Sequence, residues 1–483
     1  MLTPTPHQEQ IISDYLNANT TKHLNGSEVG TGKTLVATEF VRRAGGKVNL
    51  VTAPLHTRSG WERHFDLQGM NELRFATTKN KVGQQAISDL MFGVPGNYFM
   101  GRELARLQDW SSSYIDTWVA DEVHSMANSK SRAFKSHNQE AMPTTHRLFQ
   151  SATWFGAKFE NARTIAQLLW PELDGYGEIA DRSAMRWIDY WCSKGFTEFW
   201  TKDEKLVARA KRSGSGEVRD SVTGNDGKEI RWLLRMFNVT GERNPGAFAA
   251  AMPSYARMES DLPELEPIEI RYEMSSVQRK MYKEMEAESL AWLRDQSPLV
   301  VELDVTRRIR LREIALAEPV LDGAGQIQFP DDAKSALADI VREMSDDLGS
   351  EQILMGTHSA KFSKFLGKRL GIFSWAGNST EEAQEKARAD FIAGNLRSIV
   401  GTQAKLGEGI DGLQVARVMF ELSLNDNPIL NQQFRGRLRR RGQERKIVDY
   451  RFVAVGTIDD AQHESLLTKE LNMRQSAMKR EAS

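Results

Sequence analysis

The sequence predicts an α/β protein of two doubly wound parallel-sheet lobes with a helical insertion. Three observations carry this. Gly26-Ser-Glu-Val-Gly-Thr-Gly-Lys-Thr34 is a glycine-rich turn that runs into a helical apolar pattern. The acidic pair Asp121-Glu122 directly follows the apolar run Ile115 to Ala120. Short apolar runs alternate with helical periodicity both before Thr153 and after Ile268. At 483 residues the chain is too long for one core, so two or three domains are expected.

Each element follows from local pattern. Lys33 to Ala44 has apolar residues at helical spacing, and Lys47 to Ala53 is a short apolar strand ending at Pro54. A helix containing Trp61 and Phe65 comes next. Ile115 to Ala120 is a strand with Asp121 and Glu122 at its C-terminal end, where open parallel sheets bind ligands. Phe149 to Thr153 closes a further strand. From about Phe155 to Leu262 the chain turns helical and aromatic, with Trp170, Trp187, Tyr190, Trp191, Phe196, Phe199 and Trp200 read as core in preference to base-stacking platforms. Ser213 to Lys228 is rich in Gly, Ser, Asn and Asp, the composition of an exposed hairpin or loop. The second lobe starts near Ile268 and includes strands at Glu351 to Met355, Arg397 to Val400, Val415 to Phe420 and Ile447 to Val453.

Bulk properties fit a large enzyme. Hydrophobic residues make up 40%, and no apolar run is long enough to span a bilayer. The N-terminal segment lacks a signal-peptide core, which predicts a cytoplasmic location. A single cysteine, Cys192, excludes an internal disulfide and a multi-cysteine zinc site and reads as a small buried apolar residue. Net charge is −1, so a nucleic-acid partner would need a local basic track. Two such groups exist. Arg435 to Lys446 carries seven basic residues against Glu444 alone, and Lys205, Arg209, Lys211 and Arg212 lie mid-chain, where a solvated face is an equal reading.

The chemistry of the glycine-rich turn is that of phosphate binding. Its backbone N–H groups and positive helix end attract phosphates, Lys33 adds a charge and Thr34 a Mg²⁺ ligand. A cation on the far side of a γ-phosphate is missing from this segment. An arginine from a second lobe stabilises transition-state charge, worth about a thousandfold or more. Gln433-Phe-Arg-Gly-Arg-Leu-Arg-Arg-Arg-Gly-Gln443 offers such arginines. Arg437 and Arg440 lie three apart, and on a helix they would share one face.

The order of motifs resembles that of superfamily-two helicases, and within them the Swi/Snf-type DNA translocases. Pro6-His-Gln8 resembles the adenine-reading glutamine motif and Gly26 to Thr34 the phosphate loop. Ala53-Pro-Leu-His-Thr-Arg-Ser-Gly-Trp61, Asp121-Glu-Val-His124, Ser151-Ala-Thr153 and Gly377-Asn-Ser-Thr380 resemble successive motifs. Gly407-Glu-Gly-Ile-Asp411, Asn427-Pro428 and Gln433 to Gln443 resemble the last ones. Two positions depart from the family: Trp154 stands where proline is frequent, and Arg439 where histidine is usual.

The resemblance implies two RecA-like lobes, ATP and Mg²⁺ as cofactors, and DNA, duplex or branched, as partner. It implies a first lobe over 1–155, a helical insertion and linker over 156–265, a second lobe over 266–456 and a helical tail over 457–483. Lys33, Glu122, Arg437 and Arg440 would be catalytic, and Thr34 and Asp121 would hold the metal. Gln8, Gly30, Thr31, Gly32, Lys33, Thr34, Gly409 and Asp411 would surround the nucleotide. Thr57, Ser359, Ser379 and Thr402 would touch the nucleic-acid backbone, although each also fits a helix cap or turn. The activity implied is ATP-driven translocation on duplex DNA. A strand-separating DNA or RNA helicase and an ATP-gated nucleic-acid clamp are the alternatives. A compact bacterial or viral form, in a bacterial cell or infected host, and a protein partner for targeting complete the expectation; a nuclear setting stays open.

Overall fold

A computed structural model describes residues 2–138, 142–201, 204–213, 216–223, 229–260, 262, 265, 267–288, 290–293, 298–300, 304–324, 326–376, 379–407, 410–440 and 442–478. The chain forms two compact units, one of Met1–Ser27, Lys33–Met258 and Leu471–Ser483, the other of Glu28–Gly32 and Glu259–Glu470.

In the first unit the strands are β1 (Lys22–Asn25), β2 (Val48–Ala53), β3 (Leu73–Ala76), β4 (Gly96–Gly101), β5 (Ile115–Asp121) and β6 (Thr144–Gln150). An inserted segment adds β7 (Cys192–Thr201), β8 (Gly216–Thr223) and β9 (Glu229–Glu242), and the chain returns through β10 (Tyr255–Ala256). The main sheet is parallel, in the order β10-β1-β6-β5-β2-β4-β3. Chain direction across it reverses once, at β3, so right-handed crossovers place helices on both faces. On one face Ile12 and Tyr15 of helix Pro6–Asn17, Val36 and Phe40 of Lys33–Ala44, and Trp61 and Phe65 of Arg58–Leu67 pack with Val51, Phe99, Val119 and Leu148.

The insertion contains helices Ala162–Leu169, Ala184–Trp191 and Glu204–Ser213, and in addition a three-stranded antiparallel sheet, β7-β9-β8, that the composition did not announce. Alternate residues Trp232 and Leu234 of β9 bury against Val207 and Ala210 of helix Glu204–Ser213, giving this sheet its own small core. Of the two readings of Ser213 to Lys228, hairpin or loop, the hairpin is the one found: half of the stretch is strand β8, which pairs antiparallel with β9, while 214–215 and 224–228 lie outside the described residues. Trp170, Trp187 and Trp191 are buried as read from the sequence, but Tyr190 and Phe196 are exposed; the side chains of Phe199 and Trp200 lie outside those described.

The second unit begins with β11 (Ile268–Tyr272), followed by two short hairpins, β12 (Leu290–Trp292) with β13 (Pro298–Val300) and β14 (Val320–Leu321) with β15 (Ile327–Gln328). Its main strands are β16 (Ile353–Thr357), β17 (Phe373–Trp375), β18 (Ser398–Thr402), β19 (Val418–Glu421) and β20 (Val448–Ala454). They form a second parallel sheet, β11-β20-β19-β16-β18-β17, with one reversal at β17. Met355, Val400, Phe420 and Phe452 bury on one cluster with helices Ser276–Glu288 and Ala336–Asp347, and Leu354, Ile399, Met419 and Phe434 on another. Runs buried on both faces explain why these strands read as continuous apolar segments and not as alternating ones. The two RecA-like lobes expected from sequence are these two doubly wound sheets. Among the described residues no helix is long and apolar enough to cross a membrane.

Candidate functional site

Strands β1, β6 and β5 are neighbours in the first sheet, and each ends in a segment the sequence singled out. β1 leads into the glycine-rich turn, β6 into Ser151-Ala-Thr153, and β5 ends at Asp121. Gly30 and Gly32 both have φ of +83°, a left-handed conformation that glycine adopts without a Cβ penalty. The turn is fixed at its start: Asn25 Oδ1 accepts the Ser27 N–H at 3.1 Å, Ser27 Oγ accepts the Met258 N–H at 2.9 Å, and Arg257 donates to the Gly26 carbonyl at 2.8 Å. Gly26 is required here, because a Cβ would lie 2.4 Å from the Tyr255 hydroxyl. Lys33 opens helix Lys33–Ala44, and its ammonium donates to the Ser27 carbonyl at 2.9 Å.

Glu122 has φ 52° and ψ 50°, and it is the one non-glycine residue with positive φ among those described. Such a backbone costs about 1–3 kcal/mol and persists where surrounding contacts over-determine it. Those contacts are present: Ser151 Oγ donates to Glu122 Oε2 at 2.9 Å, and His124 Nδ1 lies 3.2 Å from the same oxygen and 3.3 Å from Ser151 Oγ. His124 thus joins the acidic pair to the Ser151-Ala-Thr153 turn. Gln150 Nε2 donates to Asp121 Oδ1 at 3.0 Å.

The two carboxylates are driven apart electrostatically. Burial, then the neighbouring Glu122 charge, pushes Asp121 up to about 6. Glu122 goes the other way: burial would raise it, but the His124 contact, Lys33 and the Ser151 hydroxyl hold it down to about 2. Lys33 therefore acts on both groups. Thr34 and Asp121, the residues expected from sequence to hold a metal, carry a hydroxyl and a carboxylate, hard oxygens of the kind Mg²⁺ takes together with substrate phosphate and water.

Gln8 is buried and its Oε1 accepts the Thr5 N–H at 2.8 Å within a capping box at the start of helix Pro6–Asn17. In the second unit, Arg437 and Arg440 do not share a helix face. Helix Pro428–Arg435 ends at Gly436, and the next residues form turns closed by Arg437 N–H to the Phe434 carbonyl and Leu438 N–H to the Arg435 carbonyl. Arg437 is buried and donates to the carbonyls of Gly407 and Ile410, at 3.1 Å from Nε and Nη1 respectively. Arg440 pairs with Asp411 and donates to the Gly436 carbonyl at 3.2 Å. The two arginines thereby contact the last residue of helix Gln403–Gly407, Ile410 and Asp411. Gly409 lies outside the described residues.

All four hydroxyl candidates have local structural contacts. Ser359 caps helix Ala360–Leu370 by accepting the Phe362 N–H at 3.2 Å, and Thr402 accepts the Lys405 N–H at 3.3 Å. Ser379 donates to the Ala376 carbonyl at 2.6 Å, and Thr57 to the Pro54 carbonyl at 2.8 Å. Sequence reasoning gave no role to Gln150, Ser151, Arg257 or Asn25. Only Ser151 carried a signal, as part of a motif; Asn25 and Gln150 matter through strand pairing, and Arg257, just after β10, through its side-chain hydrogen bond to Gly26.

No protein-family model matches the chain, and no curated protein matches it. Among solved structures it is similar to the Sulfolobus solfataricus SWI2/SNF2 ATPase core in complex with dsDNA, at 16% identity and a TM-score of 0.37, over 99% of this chain and 94% of that one.

Proposed function

We propose that the chain is a DNA-stimulated ATPase that couples hydrolysis to movement along duplex DNA. The observation that supports this most is that Lys33, at the start of the helix after β1, acts on both Asp121 and Glu122 at the end of β5, with only β6 between the two strands. Lys33 binds the β- and γ-phosphates, the N–H groups of Gly30 to Gly32 cradle them, and Gln8 meets the adenine edge. Thr34 and Asp121 would hold Mg²⁺, which supplies charge neutralisation for phosphoryl transfer. Glu122, ionised at neutral pH, orients the attacking water and accepts its proton. Arg437, Arg440, Asp411 and Gly409 act from the second lobe, Arg440 as the cation on the γ-phosphate.

Duplex or branched DNA as the partner comes from the motif order, which resembles the Swi/Snf-type translocases along nearly the whole chain. Ser359, Ser379, Thr402 and Thr57 contact backbone phosphates. A hydroxyl that accepts a cap hydrogen bond, as Ser359 and Thr402 do, keeps its own O–H to donate. A protein partner or DNA shape supplies targeting.

The test is ATPase rate measured without nucleic acid and with duplex, single-stranded, forked and branched DNA and RNA. Duplex or branched DNA is expected to stimulate most. Equal rates in all conditions would reject the DNA motor, and stimulation by single strands or RNA alone would favour the strand-separating reading.

A further inference from the structure

Two buried amides lie between the phosphate loop and Asp121. Asn25, Gln150 and Asp121 are Cα partners across three neighbouring parallel strands: Asn25 of β1 opposite Gln150 of β6, and Gln150 opposite Asp121 of β5. In a parallel sheet such partners project to the same face about 4.8 Å apart. Asn25 and Gln150 are almost fully buried, so neither is there for solubility.

Each amide is fixed at one end. Asn25 Oδ1 accepts the Ser27 N–H at 3.1 Å, at the first turn of the phosphate loop. Gln150 Nε2 donates to Asp121 Oδ1 at 3.0 Å. These contacts also set which end of each amide is which, since a backbone N–H needs an acceptor and a carboxylate needs a donor. What is left over is complementary: among the described residues Asn25 Nδ2 and Gln150 Oε1 are both buried without a hydrogen-bond partner, a donor and an acceptor on adjacent strands at one level. An unpaired buried amide group is costly, and rotating the two side chains toward each other would satisfy both at once.

We propose that Asn25 and Gln150 form an amide row that positions Asp121 relative to the phosphate loop. Its links are Ser27 N–H to Asn25 Oδ1, Asn25 Nδ2–H to Gln150 Oε1, and Gln150 Nε2–H to Asp121 Oδ1; the first and last are observed and the middle one is inferred. Both amides are positioning residues. Gln150 orients the carboxylate assigned to Mg²⁺, and Asn25 ties that orientation to the turn that receives the phosphates. This rests on the ATPase reading above.

The experiment is equilibrium binding of a fluorescent ATP analogue to the full chain, titrated with Mg²⁺ and repeated in EDTA. It compares wild type with Gln150→Met, Asn25→Ala and the double variant, with melting temperatures alongside. Outer partners of metal ligands typically contribute about 10–100-fold to metal affinity. Gln150→Met, which keeps the volume but removes the donor, is expected to raise the Mg²⁺ midpoint about tenfold or more while binding in EDTA is unchanged. Gln150→Leu repeats the measurement should the methionine variant fail to fold. The double variant is expected to shift the midpoint by less than the product of the single shifts, because one chain of contacts is broken in both. An unchanged midpoint in a folded Gln150 variant would overturn the row. Independent, multiplying shifts would overturn the Asn25 link. A wild-type chain that binds no nucleotide would instead reject the ATPase reading.

Discussion

At Glu122 a strained backbone, a serine hydroxyl and an imidazole converge on one carboxylate. Glu122→Gln preserves the shape and the acceptor for Ser151, so ATP binding should persist while turnover is abolished; Lys33→Ala should abolish turnover as well. Steady-state ATPase with parallel nucleotide binding checks both, and hydrolysis retained by either variant would remove the site. Arg440→Ala is expected to lower kcat by about a hundredfold or more with little change in ATP affinity, as for a contact made mainly in the transition state. Loss of affinity alone would make Arg440 a ground-state ligand. Ser359 separates cap from DNA contact: Ser359→Asp retains a good N-cap, so the melting temperature should hold, but its charge opposes phosphate, so DNA affinity should fall. Unchanged DNA binding would leave Ser359 as a cap only.

Among elements, the junction of β19, β20 and helix Pro428–Arg435 holds a buried ionic cluster. Glu421 accepts Arg435 at 2.9 and 3.0 Å and Arg451 at 3.0 Å, and Arg435 also reaches Glu470 at 3.0 Å. Two guanidiniums thus meet three carboxylates once Asp449 is counted, and Asp449 is the one left without good geometry, 3.9 Å from Arg435 and with Oδ1 unpaired among the described residues. Burial and then the Glu421 charge push it from 3.8 up to about 7. A raised acid favours the folded chain below its unfolded value, and that contribution is lost as pH rises through about 7. Asp449→Asn is neutral at every pH, so it should melt above wild type at pH ~8, with the gap closing toward pH ~5. A thermal-unfolding series against pH checks this, and an asparagine variant less stable at the higher pH would contradict it. Arg435, by contrast, is structural: its fork is spent on Glu421 and Glu470, which is why the basic tract is not one continuous phosphate-binding face.

For the whole molecule, the proposed grip on backbone phosphates implies counterion release, with log affinity falling about 0.9 per phosphate neutralised on duplex for each unit of log salt. DNA binding measured across salt should fall steeply, and a flat response would count against the phosphate track. The proposed motor is also expected to displace the third strand of a triplex with little unwinding of a long duplex. Among the described residues β8–β9 is the hairpin with the longest strands and the candidate separation pin, yet Val222-Thr223 leads into Gly, Asn and Asp, not into an apolar wedge. Efficient unwinding that vanishes when residues 224–228 are shortened would promote the helicase alternative.

The sequence alone determined what depends on contiguous residues. Gly26 to Thr34 bends through its own glycines and sets Lys33 at the start of a helix, and apolar runs between helical patterns were enough to reveal two parallel-sheet lobes. The choice between hairpin and loop for Ser213 to Lys228 stayed open because glycine, serine and charged residues make a strand such as β8 only when β9 supplies its pairing and helix Glu204–Ser213 its core. The shared helix face of Arg437 and Arg440 failed because Gly436 ends the helix and the carbonyls of Gly407 and Ile410 attract the first guanidinium. Asn25 and Gln150 carried no signal at all, since a polar residue at a strand end gains meaning only from the register of its neighbours. Register is set by the packing of whole strands far apart in the chain, and for that reason only the tertiary structure decided how the ends of β1, β6 and β5 meet.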